Sequence, residues 1–270
     1  MIKKDWHIHT YYSDGTYSPS DVILWAKEKG LNEIAITDHD GVDGIEEALA
    51  KGSKEGIKVI PGIELSTMTD DKKGLHILGY YIDRKNYDLI RSCEDVKKSR
   101  EERNKKYFKA LEEEGYPLTI EDLTMRPNQG FVGKPIIARA MVKKGYIKST
   151  SEAFEGIFNT EKMRKIKKKK ISTQKAISLI KNAGGIPVLA HPGLIRHLGE
   201  RDTEAFFEKA ELLIGELAKL GIEGLECIYA KHSETEKMRF SNIAKKQGLI
   251  ITEGSDFHGD SEETNSASMI

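Results

Sequence analysis

Short apolar runs alternate with amphipathic stretches over the first 85 residues. MIKKDWHI reads as a strand, and SPSDVILWAKEKG as a helix with Ser18 capping it and Pro19 in its first turn. EIAIT predicts a second strand, GIEEALAKGSKEG a second helix, and KVIPGIEL and LHILGYYI two further strands. The rhythm returns in the last hundred residues. The helix TQKAISLIKNAGG leads to the strand IPVLAH, and TEAFFEKAELLIGELAKLG leads to GLECIY. SETEKMRFSNIAKKQG opens with a capping-box pattern, Ser233 to Glu236, and precedes LIITEGSD. Strands separated by helices predict an α/β fold with a parallel sheet, closed as a barrel or doubly wound. Between about Tyr87 and Lys170 the pattern is helical only, from EDVKKSREERNKKYFKALEEEG through TIEDL, GKPIIARAMVKKG and SEAFEGIF. This predicts a helical insertion or lid at 87–170, set into a unit made of 1–86 and 171–270.

Composition narrows the classes. The 270 residues include 43 basic and 43 acidic side chains, so the net charge is zero and a surface built for duplex nucleic acid is not expected. No apolar run approaches the roughly 18 residues of a membrane span. The opening MIKKDWHIHT carries no apolar signal core. The two cysteines, Cys93 and Cys227, are far apart, which fits a reducing compartment and argues against thiolate ligation. A soluble cytoplasmic protein is the expectation. The run KIKKKK at 165–170 reads first as a solvated linker; the sharper reading is an electrostatic guide for a phosphate-rich substrate.

The chemistry gathers at strand boundaries. His7, His9 and Asp14 accompany the first strand, Asp38, His39 and Asp40 follow the second, and Glu64 lies in the third. His76 opens the fourth, His191 follows IPVLA, Glu226 lies in GLECIY, and Asp256 and His258 follow the last. In a strand, His7 and His9 project to one face. Loops that follow the strands of a β/α barrel share one end, so these groups would converge there. Imidazoles with carboxylates suit zinc, manganese or iron, and the number of donors exceeds the needs of one tetrahedral ion. Two or three divalent ions bridged by carboxylates account for them. Such a site clamps phosphate and generates hydroxide near neutral pH.

DxHxH, TDHD, GIE, AHPG and SDFHG, in that order, resemble the PHP (polymerase and histidinol phosphatase) superfamily. The resemblance implies a distorted (β/α)7 barrel with a trinuclear metal site. On its pattern one metal takes His7, His9, Glu64 and Asp256. A second shares Glu64 and adds His76 and His191, and a third takes Asp14, His39 and His258. Asp5 and Asp38 are expected to orient neighbouring histidines from the outer shell, and Asp40 to cap a turn. The narrower likeness is to the stand-alone nucleotide 3′,5′-bisphosphate phosphatase and RNase AM-like group. There ECIYAKHSETE makes His232 a candidate for contacting the substrate phosphate and protonating the leaving group. GKPIIARAMVKKG resembles a segment reading Arg-Pro-His, with Lys134 in place of the Arg and Ile136 in place of the His. Lysine holds phosphate as a point charge without the bidentate geometry of arginine. Arg139 is a second candidate contact; His197, Lys231 and Arg239 read as surface residues.

The resulting expectation is a metal-dependent phosphoesterase, with Asp14, Lys134 and His232 in the reaction. It would act on a nucleotide or short oligonucleotide, such as the 3′-phosphate of a nucleoside 3′,5′-bisphosphate, through metal-activated hydroxide. Rival readings are a histidinol-phosphate phosphatase, hydrolysis of a C–N or C–O bond as in amidohydrolase barrels, and a non-catalytic metal-binding PHP domain. Amidohydrolase barrels commonly hold a modified lysine between metals, and no lysine accompanies these strand-end ligands. GxSxG, P-loop and strand-to-helix GxGxxG motifs are missing from the sequence.

Overall fold

A computed structural model describes residues 3–125 and 132–259. Its main sheet runs β1 (Lys4–Ile8), β2 (Glu33–Ile36), β3 (Lys58–Met68), β4 (Gly74–Tyr80), β6 (Ile186–Leu189), β7 (Gly224–Tyr229) and β8 (Ile250–Gly254), in that spatial order. The short β5 (Ile171–Ser172) pairs with the far end of β3. The ring is nearly closed: the Ile8–Phe257 bridge joins the two ends of this order, with His9 N donating to Phe257 O at 2.8 Å. This is a nearly closed seven-strand barrel in a mixed α/β fold.

Helices α1 (Pro19–Glu28), α2 (Ile45–Glu55), α7 (Thr173–Asn182), α8 (Glu204–Lys219) and α9 (Glu234–Gln247) follow strands or precede them, and all of these but α2 start on a serine or threonine cap. Ser18 closes a capping box with Asp21, and Ser233 one with Glu236. Their apolar faces pack with the strands into one cluster, which includes Ile23, Ile36, Leu65, Ile77, Ile180 and Phe206.

The sheet is not wholly parallel. β3 and β4 are joined by residues 69–73 alone, too few for a crossover helix, so β4 runs antiparallel to β3 and to β6. Between β4 and β5 lie α3 (Tyr87–Glu113), α4 (Lys134–Lys143), α5 (Thr150–Glu155), α6 (Glu161–Lys165) and two 3-10 turns, with no strand among the described residues. TIEDL forms one of those turns rather than a full helix. Tyr107, Leu111, Ile137, Met141 and Phe158 form a hydrophobic cluster separate from that of the barrel. The start of α3 is anchored in the barrel cluster by Leu89 and Cys93. Ile136 lies in the helical cluster with only 2% of its surface exposed, so it packs the insertion instead of facing solvent.

Candidate metal centre

Alternation along β1 turns His7 inward, and the residue that follows the strand, His9, is equally buried. Their Nε2 atoms face two shared acids. His7 Nε2 is 3.4 Å from both Glu64 Oε2 and Asp256 Oδ1, and His9 Nε2 is 3.3 and 3.1 Å from the same atoms. Loop order follows from backbone pairing. Asp40 N donates to Glu64 O and Glu64 N to Asp38 O, which stitches the β2 loop to β3 and sets His39 Nδ1 2.9 Å from Glu64 Oε2. From the opposite side, His76 Nδ1 and His191 Nε2 approach Glu64 Oε1 at 2.9 and 3.0 Å. His258 Nε2 lies 3.2 Å from Asp14 Oδ1, and His39 Nε2 lies 3.9 Å from Asp14 Oδ2.

Three groups of donor atoms, each within 4.8 Å of one another, emerge: His7, His9, Glu64 and Asp256; His9, Asp14, His39 and His258; His39, Glu64 and His76. All nine residues singled out as candidate ligands are therefore brought together, His191 through its contact with Glu64. The third group differs from expectation in holding His39 beside Glu64 and His76, where the sequence pattern placed His191. Asp40, His191 and Asp256 adopt positive φ angles of 54°, 26° and 59°. Such backbone is uncommon outside glycine and gathers at functional sites.

The donors fit divalent cations. His7 Nε2, His9 Nε2, Asp14 Oδ1 and Glu64 Oε2 are buried and make no hydrogen bond, although they point at one another. Buried polar atoms normally find partners, so four such atoms in one cluster of imidazole and carboxylate form a donor set that a Lewis acid would satisfy. Electrostatics agree. Burial disfavours charge on His7, but Glu226, Glu64 and Asp256 outweigh it and raise its pKa well above the ordinary value. Burial likewise opposes ionisation of Glu64 and Asp14, and the surrounding histidines overcome it and hold both well below the usual carboxylate range. His76 differs: burial dominates and lowers it to about 4. Cations would displace the protons that such a cluster otherwise gathers.

Supporting groups fix the donors. Glu226 Oε1 lies 2.8 Å from His7 Nδ1, and Oε2 accepts from the His191 backbone N–H at 2.7 Å. Tyr229 OH donates to Asp256 Oδ2 at 3.0 Å, which leaves Oδ1 facing His7 and His9. His258 Nδ1 donates to the Asp256 carbonyl at 2.8 Å, so its Nε2 is the free donor atom. The sequence marked Glu226 as a strand acid without a role, and Tyr229 was visible only as the aromatic of a motif. Asp5 and Asp38 reach the neighbouring histidines indirectly, Asp5 through the His7 backbone and Asp38 through Ser13, whose hydroxyl lies 3.4 Å from His9 Nδ1. Asp5 accepts from the backbone of His7 and Ser255 and from the Ser255 hydroxyl, while Asp38 accepts from Thr10 and Ser13. Both acids brace loops and neither binds an imidazole.

His232 departs from expectation. Its Nε2 accepts from Gly193 N at 3.0 Å and its Nδ1 donates to Cys227 O at 3.0 Å, so both nitrogens are spent on backbone. Burial lowers its pKa, and it does not line the cavity above the metal centre. An added Cβ on Gly193 would lie 2.6 Å from the His232 ring, so the pair fixes the turn after His191. Lys134, in contrast, lines that cavity from the first turn of α4, whereas Arg139 on the same helix does not. His197 lies beside a different hollow, next to Lys73 and Leu212. Arg239 pairs with Glu204, and Lys231 is exposed.

The cavity measures about 500 Å³. Asp14, His39, Glu64, His76, Asp256 and His258 form its floor. Its walls carry Arg100, Arg103, Lys134, Arg164, Lys167, Lys168 and Lys170. Asp40 is no turn cap: it accepts from Ser66 N at 2.8 Å, Arg100 at 2.6 Å and Lys168 at 2.5 Å. Burial opposes its ionisation, but Lys168 and Arg100 hold its carboxyl well below the usual range. The KIKKKK run is thus half-buried at Lys168 and Lys170, which line the cavity together with the exposed Lys167.

The family model for the PHP domain matches residues 5–228. A 5′-3′ exoribonuclease from Haemophilus influenzae is 30% identical over 259 residues, spanning 96% of this chain and 91% of its own length. A 3′,5′-nucleoside bisphosphate phosphatase from Chromobacterium violaceum is 30% identical over 267 residues, spanning 97% and 89%. Among solved structures, an amidohydrolase from Chromobacterium violaceum with bound sulfate and no metal superposes with a TM-score of 0.85 at 28% identity, over 97% of this chain and 89% of that one.

Proposed function

The chain belongs to the PHP domain family and is a metal-dependent phosphoesterase, and we propose that it hydrolyses a terminal phosphate of a nucleotide or short oligonucleotide at a three-ion centre. The observation that carries this reading is the polarity of one cavity, an imidazole and carboxylate floor beneath seven cationic side chains. His7, His9, Glu64 and Asp256 would hold one ion, and Asp14, His39 and His258, with His9 beside them, a second. Glu64, His76 and His191, beside His39, would hold the third. Bound divalent ions supply positive charge to phosphoryl oxygens and acidify water toward neutral pH. Manganese, iron and zinc all accept these donors.

The chain's own residues do the rest. Glu226, Tyr229 and the Asp256 carbonyl keep the donor atoms aimed at the floor. Burial, reinforced by Arg103, lowers Lys134 to about 8, so it still carries a proton at neutral pH and can neutralise phosphate charge. His232 positions the His191 turn and takes no part in leaving-group protonation. The helices of 87–170 supply Arg100, Arg103, Lys134 and Arg164 to the cavity, which supports reading them as a lid.

The cationic walls favour a nucleotide over histidinol phosphate, whose own amine they would repel. A volume of about 500 Å³ suits a ligand of nucleotide size. C–N hydrolysis, raised by the amidohydrolase neighbour, is less well supported, because Glu64, shared by two of the donor groups, fills the bridging place that a modified lysine holds in amidohydrolase barrels. A non-catalytic domain would be expected to lack donors, and this chain carries them all. The test is turnover with manganese of histidinol phosphate, adenosine 3′,5′-bisphosphate and short 5′-phosphorylated RNA. Nucleotide substrates should be cleaved at least tenfold faster; turnover of histidinol phosphate alone would reject the reading.

A further inference from the structure

Phe206, Phe207, Ala210, Ile214 and Leu217 form the buried face of α8. The opposite face carries Leu212, which is 71% exposed, more than any other large apolar side chain among the described residues. Gly215 follows one turn later on the same face. A glycine inside a helix is destabilising relative to alanine, so it calls for a reason. Gly52 inside α2 has one, because an added Cβ would lie 2.5 Å from Val59 and 2.8 Å from the Ile57 carbonyl. Gly215 has no such reason within the chain: an added Cβ would meet nothing nearer than the Gln247 side chain at 3.5 Å, an ordinary contact. What Gly215 offers is close approach from outside.

Glu208 and Lys219 extend this stripe at its two ends. Glu208, Leu212, Gly215 and Lys219 follow one another at intervals of four, three and four residues, the spacing of a seam along which one helix meets another. All four border one surface hollow, together with Glu211 and Lys246. The neighbouring acids Glu204 and Glu211 pair with Arg239 and Lys246 of α9. Glu208 and Lys219 enter no ion pair among the described residues.

We propose that this stripe is a dimer interface, in which α8 packs antiparallel against α8 of a second copy of the chain. Two identical surfaces related by a two-fold axis must be complementary to themselves. An axis midway between Leu213 and Ile214 meets that demand. Each Leu212 falls over Gly215 of the other copy, and each Glu208 meets Lys219 of the other copy. Apolar knobs fill the places that glycine leaves open, and two ion pairs close the ends. Glu211 approaches Glu216 at the flank of this register, where Lys246 neutralises Glu211. A different partner would need a matching stripe of its own, whereas this one is already its own complement. One helix pair is a small interface, so a dissociation constant on the order of 10 µM is expected. None of the four residues lines the metal cavity, and the inference is independent of the reaction.

Sedimentation equilibrium of the full chain, from about 2 to about 200 µM, tests it. Leu212→Glu should weaken the dimer about thirtyfold or more, with circular dichroism unchanged, because it removes the central apolar contact. Gly215→Ala should melt no lower than the wild type, since alanine is the better helix former, yet weaken the dimer about fivefold or more. Glu208→Lys and Lys219→Glu should each weaken it about fivefold or more, and the double variant should return to within about threefold of the wild type. A wild type that stays monomeric throughout would overturn the proposal and leave the face to another protein. So would a dimer that survives Leu212→Glu or Gly215→Ala, or a double charge swap no better than its single parents.

Discussion

Glu226 serves two strands at once. One oxygen fixes the His7 ring and the other catches the backbone N–H of His191 in its left-handed turn. Glu226→Gln keeps the volume but loses the charge that favours a proton on His7 Nδ1. Metal affinity should fall by about 10–100-fold, measured by competitive titration with a chelating dye while circular dichroism stays unchanged. Much of this scale is legible in the sequence, because His7 and His9 need only strand alternation, and the other donors only the rule that strand ends share a rim. The side chains misjudged are those whose role depends on which way a loop turns. His232 follows a strand as the donors do, yet the packing of its ring against Tyr229 and Phe240 directs it to Gly193. Asp5 and Asp38 sit beside histidines in the sequence and act on them through the His7 main chain and the Ser13 hydroxyl, not by direct contact with a ring.

Asp40 ties three elements together: the loop after β2, the long helix α3 through Arg100, and the connector into β5 through Lys168. The carboxylate and Arg100 are both almost fully buried. Breaking a buried ion pair from one side costs about 3–5 kcal/mol, so Asp40→Asn should lose stability of that order in urea unfolding. It should also speed tryptic cleavage within residues 165–170. If cleavage there is unchanged, Asp40 does not anchor the connector. The elements themselves were mostly readable, since capping serines and apolar periodicity mark them locally. Direction was not. The alternation of strand and helix suggests parallel pairing throughout, and the exception arises where Met68 and Gly74 are joined by five residues that can only make a hairpin. Nor does lysine content reveal burial. The 165–170 run owes its position to Asp40, a partner more than a hundred residues away.

At the scale of the molecule, the candidate metal centre gathers acids and imidazoles from six places in the chain, and cations should hold those places together. Ligand at about a hundred times its dissociation constant adds about 2.7 kcal/mol. For a chain of this length that corresponds to a rise in Tm of about 5–10 °C. Differential scanning fluorimetry with manganese or zinc against a chelator checks this; equal melting in both would count against a shared centre. Barrel closure has a further consequence for how the protein is made. His7 and His9 leave the ribosome early, whereas Phe257, the residue that latches β1, and its neighbours Asp256 and His258 come after every strand. A nascent chain can therefore mature most of its hydrophobic interior while its catalytic centre is still in pieces. Two of the three donor groups, those that need Asp256 and His258, stay incomplete until the last strand has been made, whereas His39, Glu64 and His76 are available much earlier.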